Sequence, residues 1–378
     1  MYDIILKNCR LFNGTDFLPE PTDIAVYNGR IAKVGNIGEY DAAHKIDCTG
    51  MTVTPGLIDA HAHFAPFSGI GVDPALSCLP FGVTAVLDAG SVGCNTLEPV
   101  ASAMYTAPVE TRLFMNLCSF GLNSMRSFPE DIDPDKFDKK KIERVFAKYP
   151  DKLCGLKIRM GKECSRHYGK APLAAAIDIA HGLGVPLCTH VSDPDFPAGE
   201  LAEMMGEGDI FTHTYQGRGN TIIDGGSVDR RILRARERGV LFDVGDARVH
   251  LDFEVFKTAI GEGFTPDLIG SDITDRGAFD KGVFALPLTL SKLVTLGMDE
   301  KEVLRRATSH AAKILGFSGG IIAEGRVADV AVWNVKHDYG KLYDGAMREI
   351  DAKYFLSPQM TLKNGNIAWR SMDFRTDF

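Results

Sequence analysis

The stretch Pro55-Gly56-Leu57-Ile58-Asp59-Ala60-His61-Ala62-His63 decides how the chain is read. It is an apolar run that opens after a Pro-Gly break and ends in two histidines. Residues two apart on a strand project from the same face, so as a strand it sends both imidazoles the same way. Further short apolar runs follow at 83–88, 112–118, 154–160, 185–191, 209–213, 240–244 and 267–272. Helical stretches at 135–149, 172–183, 228–238 and 253–262 lie between them. Eight strands with connections of this kind predict an α/β fold, a (β/α)8 TIM barrel. An open doubly wound sheet needs a switch-point motif such as Gly-x-Gly-x-x-Gly after the first strand, and none is there.

The two ends read differently. Residues 2–11 alternate apolar and polar, Asn13-Gly14 turns, and 23–27 alternates again. Asn28-Gly29 then marks a hairpin into 30–34, and a short strand covers 45–47. The pattern returns at 329–333 and at 361–369, where Asn364-Gly365 sits. A barrel takes about 250 residues, so a chain of 378 leaves room for a companion. The expected division is a small β domain from 1–54 plus 326–378 and a barrel over 55–325.

Composition narrows the function classes. The 42 basic and 50 acidic residues give a net charge of −8, with no basic excess to neutralise phosphates, so nucleic acid is not an expected partner. The cluster Lys139-Lys140-Lys141 has acids on both sides and reads as a solvated helix face. No run reaches the ~18 apolar residues of a membrane helix, and no basic leader precedes an apolar run at the start. No Cys-x-x-Cys pair occurs among the eight cysteines, and most lie among apolar neighbours; a reducing cytoplasm fits them. A homo-oligomer is neither indicated nor excluded.

The later strands give the two histidines their weight. Strand five ends at Thr189-His190, strand six at Thr212-His213 and strand eight at Ser271-Asp272. Catalytic groups sit at the C-terminal mouth of such a barrel. Imidazole and carboxylate together are what zinc-like divalent ions take. Strand four carries Lys157, which is costly as a free ammonium inside an apolar strand. A neutral amine there can react with carbon dioxide to a carbamate whose two oxygens span two ions. A lysine paired with Asp272 or another acid is the competing reading. His181 closes a helix, where a cation suits the dipole, and His310 lies within one. His250 follows strand seven, with nothing to fix its direction.

These residues resemble the amidohydrolase superfamily over nearly the whole chain. The β-rich ends look like its composite β-sandwich domain, residues 55–63 like its strand-one signature, and Gly325-Arg326-Val327-Ala328-Asp329 like its re-entry into the small domain. The resemblance implies two divalent metal ions, zinc being the expected one. The positions matching His61, His63 and Asp272 hold one ion, those matching His190 and His213 the other, and a carboxylated lysine matching Lys157 bridges them. Within the superfamily, Asp88-Ala89-Gly90-Ser91, residues 155–160 and residues 208–213 look closest to the amidohydrolase/deacetylase metallohydrolases. One loop departs: where Gly-His-Gly is common after strand seven, this chain has Gly245-Asp246-Ala247-Arg248-Val249-His250-Leu251.

The resemblance implies hydrolysis of an amide or ester in a small-molecule substrate, with Asp272 as general base and then acid. A carboxylate on the substrate would explain several cationic groups near one mouth. Arg159, two residues after Lys157, is the first candidate, with Tyr215 and Arg218 after strand six and Arg248 after strand seven. Arg159 has an equal alternative, an ion pair with a loop carboxylate. Three functions compete: a deacetylase, a cyclic amidase of the dihydroorotase type, and a non-catalytic scaffold on the same fold. The dihydroorotase type carries an arginine two residues after its second strand-one histidine, where this chain has Ala65. The six ligand types argue against the scaffold.

Overall fold

The computed structural model describes residues 1–66, 68–123, 125–279 and 285–374. Seven strands form one parallel sheet: Leu57–Ala62, Val83–Gly93, Glu110–Asn116, Leu153–Arg159, Leu187–His190, Ile210–Thr212 and Leu241–Asp243, neighbours in that order. Parallel strands need crossovers. These include the helices Leu97–Thr106, Lys139–Lys148, Ala171–Gly182 and Arg230–Glu237. Aspartates set two of the helix starts: Asp138 accepts from the Lys141 amide and Asp229 from that of Arg231.

The eighth strand expected over 267–272 is not a ladder. The segment closes the barrel through two isolated parallel bridges, Asp243 with Leu268 and Ala62 with Ile273. The Asp272 amide donates to the His61 carbonyl at 2.6 Å and the Val244 amide to that of Leu268 at 3.2 Å. Regular pairing fails because Asp272 takes a left-handed backbone, φ +51°, which interrupts a strand. Gly270 allows the close approach, since a Cβ there would lie 2.1 Å from the Cβ of His61. The result is a nearly closed, TIM-like barrel of seven parallel strands and one bridging segment.

The sixth strand is also shorter than read. It runs over Ile210–Thr212, with Asp209 just before it, whose carboxylate accepts from the amides of Leu187 and Gly206, both at 2.9 Å. His213 leaves it by stepping to φ +62°.

Both chain ends meet in one eight-stranded sheet. Thr52–Pro55, the strand before the barrel, pairs antiparallel with Val330–Lys336, the strand after it. Ile24, Val53, Val332 and Leu362 are among the side chains of its apolar core. Trp333 joins this sheet to the barrel: its indole donates to Thr54 Oγ1 at 3.0 Å and its ring covers Gly82, where a Cβ would be 2.3 Å away. Among the described residues no helix is long and apolar enough to cross a membrane.

Candidate metal centre

His61 and His63 end the first barrel strand and share its inward face. Each has its Nδ1 engaged. His61 Nδ1 lies 2.7 Å from Asp243 Oδ2 and 3.0 Å from Thr212 Oγ1, and His63 Nδ1 lies 2.8 Å from Ser91 Oγ. Fixing one ring nitrogen aims the other, as metal-ligating histidines require. Their Nε2 atoms face Asp272, at 3.5 Å from His61 and 3.1 Å from His63 to Oδ1. Asp59, deeper on the same face, ties this strand to the closing segment by accepting from the Ser271 amide at 2.8 Å and hydroxyl at 2.5 Å.

The opposite wall repeats the arrangement. His190 and Thr212 are register partners across strands five and six, and Thr212 and Asp243 across six and seven. His213 Nδ1 lies 2.8 Å from the Gly245 carbonyl, and its Nε2 lies 3.8 Å from Asp272 Oδ2. The rings of His190 and His213 are 4.2 Å apart. His213 and Asp272 both hold left-handed φ, a strained state for such residues that persists where the surroundings over-determine it. Glycines make room: a Cβ on Gly245 would sit 2.7 Å from His213 Nδ1, and one on Gly90 2.6 Å from Lys157 Cβ.

Electrostatics favours the ligand form of His61, His190, His213 and Asp272. Burial lowers the pKa of His61, and so does the charge of Lys157. Burial, aided by Arg159 for His190 and by His250 for His213, lowers those two well below the ordinary imidazole value. Burial works against charge on Asp272, but His61 and His63 outweigh it and hold the carboxyl well below the usual carboxylate range. Neutral imidazoles and an ionised carboxylate are the forms that bind metal. Ligand atoms of His61, His213 and Asp272 lie within 4.8 Å of one another. This donor set fits a zinc-like divalent ion.

Lys157 lies in the same cavity, 2% exposed. Its Nζ meets the Cys188 thiol at 3.4 Å, and among the described residues it has no ion-pair partner. The pairing with Asp272 that the sequence left open is not made. The cavity has a volume of about 250 Å³ and opens at the C-terminal ends of the strands. Two larger ones, of about 840 and 730 Å³, contain none of these ligands. The larger of them lies at the starts of the strands, among Arg112, Cys154 and Leu241.

The substrate-binding residues read from the sequence fare unevenly. Arg159 lines the cavity, but its guanidinium donates to Glu130 at 2.5 Å and to Glu163 at 2.9 Å. Tyr215 is corrected: it is wholly buried in the apolar core, its hydroxyl on the Phe264 carbonyl at 3.2 Å and its ring against Phe256. The left-handed step at His213 breaks strand parity and turns Tyr215 inward. Arg218 is exposed and outside the cavity lining. Its charge still helps to lower the pKa of His250. Arg248 and Arg276 line the cavity.

Sequence reasoning missed Asp243, Ser91 and the direction of His250. Asp243 could have been found, since it shares the inward parity of Leu241 on its strand. The ring of His250 lies 4.1 Å from that of His213 and 5.4 Å from that of His190.

Residues 52–368 match the model of the amidohydrolase family. A protein of Enterococcus faecalis named deacetylase is 27% identical over 372 residues, 97% of this chain and 99% of its own length. The crystal structure of an adenine deaminase superposes with a TM-score of 0.87 at 26% identity, covering 98% of this chain and 100% of that one. That of a dihydroorotase gives 0.89 at 25% identity, covering 97% of each.

Proposed function

Because the chain belongs to the amidohydrolase family, and so is a hydrolase, we propose that it removes an acetyl-type group from a small carboxylate-bearing molecule at a centre of two divalent ions, zinc being the expected one. His61, His63 and Asp272 would hold one ion and His190 and His213 the other, with Lys157, carboxylated on Nζ, as the anionic residue shared between them. The carbamate would place an anion at this buried position, where Lys157 has no ion-pair partner among the described residues. The relative from Enterococcus faecalis, alike over nearly its whole length, supports the deacetylase reading.

When bound, the ions supply electrophilic activation of a water and of the scissile carbonyl. Asp272 takes the water's proton on a carboxylate oxygen and delivers it to the leaving nitrogen or oxygen. His63 Nε2, 3.1 Å from Asp272 Oδ1, is placed to share an ion with that carboxylate. Arg248 and Arg276 are the cations to which we assign the substrate carboxylate. Arg159, answered by two glutamates, keeps a supporting part, and Arg218 a long-range one. The dihydroorotase reading is disfavoured at Ala65, which is buried with its amide held by Asp88 Oδ2 at 3.0 Å. The eight free thiols fit a cytoplasmic protein. Residues 1–54 and 326–378 are assigned to a composite β-sandwich beside a barrel of 55–325; 375–378 lie outside the described residues.

The observation that carries this reading is the convergence of three imidazole Nε2 atoms on the Asp272 carboxylate at 3.1–3.8 Å. The test is a panel of N-acetyl and O-acetyl acids, dihydroorotate and adenine with zinc-loaded protein. Turnover of an acetylated acid well above the other classes is expected. Preferential turnover of dihydroorotate or adenine overturns the substrate assignment.

A further inference from the structure

Nothing in the assignment above uses His250, yet the structure builds a loop around it. The Asp246 carbonyl accepts from the amides of Val249 at 3.0 Å and His250 at 2.8 Å, closing one tight turn. Within that turn Ala247 and Arg248 both take left-handed φ, +45° and +67°. Each such residue is strained and persists only when neighbours enforce it. Here they do. The Asp246 carboxylate is buried against Lys292 Nζ at 2.8 Å and Thr289 Oγ1 at 3.1 Å, and the Ala247 amide donates to the Ser271 carbonyl at 2.8 Å. The turn delivers His250 to the centre. Its Nδ1 meets Ser192 Oγ at 3.0 Å, the same one-sided engagement that His61, His63 and His213 have. Ligand atoms of His190, His213 and His250 lie within 4.8 Å of one another.

We propose that His250 is a third imidazole ligand at the His190/His213 position, supplied by the loop in which this chain departs from the common pattern. The inference rests on the metal-dependent reading above and adds a protein ligand to the second ion. Three imidazoles together with the Lys157 carbamate would give one divalent ion a four-donor set of a kind zinc accepts.

Cobalt(II) added to metal-free protein tests this by two readouts besides activity: ions retained per chain and the visible spectrum. Wild type is expected to retain two ions. His250→Gln is expected to bind the second at least roughly tenfold more weakly, with altered cobalt bands and an unchanged melting point of the metal-free protein. His250→Cys, tested alongside, is expected to gain the intense near-ultraviolet absorption of a cobalt–thiolate bond, which requires position 250 to reach the ion. Two ions bound as tightly by His250→Gln as by wild type, with the same bands, overturn the proposal, as does a His250→Cys protein without thiolate absorption. A wild type that takes up no cobalt removes the underlying metal-dependent reading as well, so the two failures are told apart.

Discussion

The two walls of the mouth are built alike but charged differently. On one, His61 and His63 stand beside the ionised Asp272, and side chains hold their Nδ1 atoms: Asp243 and Thr212 for the first, Ser91 for the second. On the other, His190, His213 and His250 are all imidazoles, and the Nδ1 partners seen there are neutral, the Gly245 carbonyl and the Ser192 hydroxyl. The first wall therefore includes an anion, Asp272, among its candidate ligands, and the three imidazoles of the second include none. An ion held only by neutral donors in a buried site keeps its full charge in a low dielectric, which is costly. Lys157 lies within this cavity, and among the described residues no acid is paired to it. Converting its amine to a carbamate supplies the anion that the second wall lacks. The asymmetry thus gives a reason for a lysine, rather than another carboxylate, at this depth.

The largest effect is expected where the charge of the first wall is removed. Asp272→Asn keeps the shape and loses both the anion and the proton acceptor. Deacetylation should fall by about 10²–10⁴-fold, the range of a lost general base. Steady-state kinetics at saturating zinc measure it, and a fall of less than tenfold would contradict the role of Asp272.

Next comes Arg159, two residues beyond Lys157 at the edge of the second wall. Its partner Glu130 is 3% exposed and also accepts from Asn116 Nδ2 at 2.9 Å. Arg159→Met leaves that carboxylate buried without its cation, and breaking such a pair costs about 3–5 kcal/mol. The expected signature is lower stability in a urea titration, with a modest change in KM for carboxylate substrates. A normal midpoint with a large, carboxylate-specific rise in KM would return Arg159 to the substrate.

Lys157→Ala removes the anion proposed for the second wall. Activity should drop roughly a hundredfold and recover in part with a short carboxylic acid such as propionate in the vacated space. Full activity without added acid would show that the second wall needs no charge.

The smallest effect belongs to Arg218, exposed and outside the cavity. Arg218→Ala should change stability by no more than about 0.5 kcal/mol and kcat/KM by less than threefold. A larger change in kcat/KM would bring this residue into the site.

The legible parts of the molecule are those with a fixed period. Alternation places His61 with His63 and marks where the apolar runs stop, so His190, His213, Asp272 and Lys157 could be named from residue type and position. The illegible parts begin where the backbone leaves that period. The left-handed step at His213 reverses the side on which Tyr215 falls. The left-handed pair at 247 and 248 carries His250 back toward the centre, and no spacing rule anticipates such a turn. Among the described residues the segment 267–273 pairs only at Leu268 and Ile273, because Asp272 leaves the extended backbone near its end. Partners such as Glu130 for Arg159 come from distant loops, which a linear pattern does not bring together.

The central claim is that hydrolysis depends on metal held by these side chains. It is tested most directly by measuring the metal content of the purified protein by mass spectrometry, alongside its hydrolysis of an acetylated acid, before chelation, after it and after zinc is restored. The account predicts two divalent ions per chain, activity that disappears as they are removed, and recovery in proportion to the zinc taken up. Undiminished hydrolysis by protein shown to contain less than a tenth of an ion per chain, on the order of a trace contaminant, would contradict it.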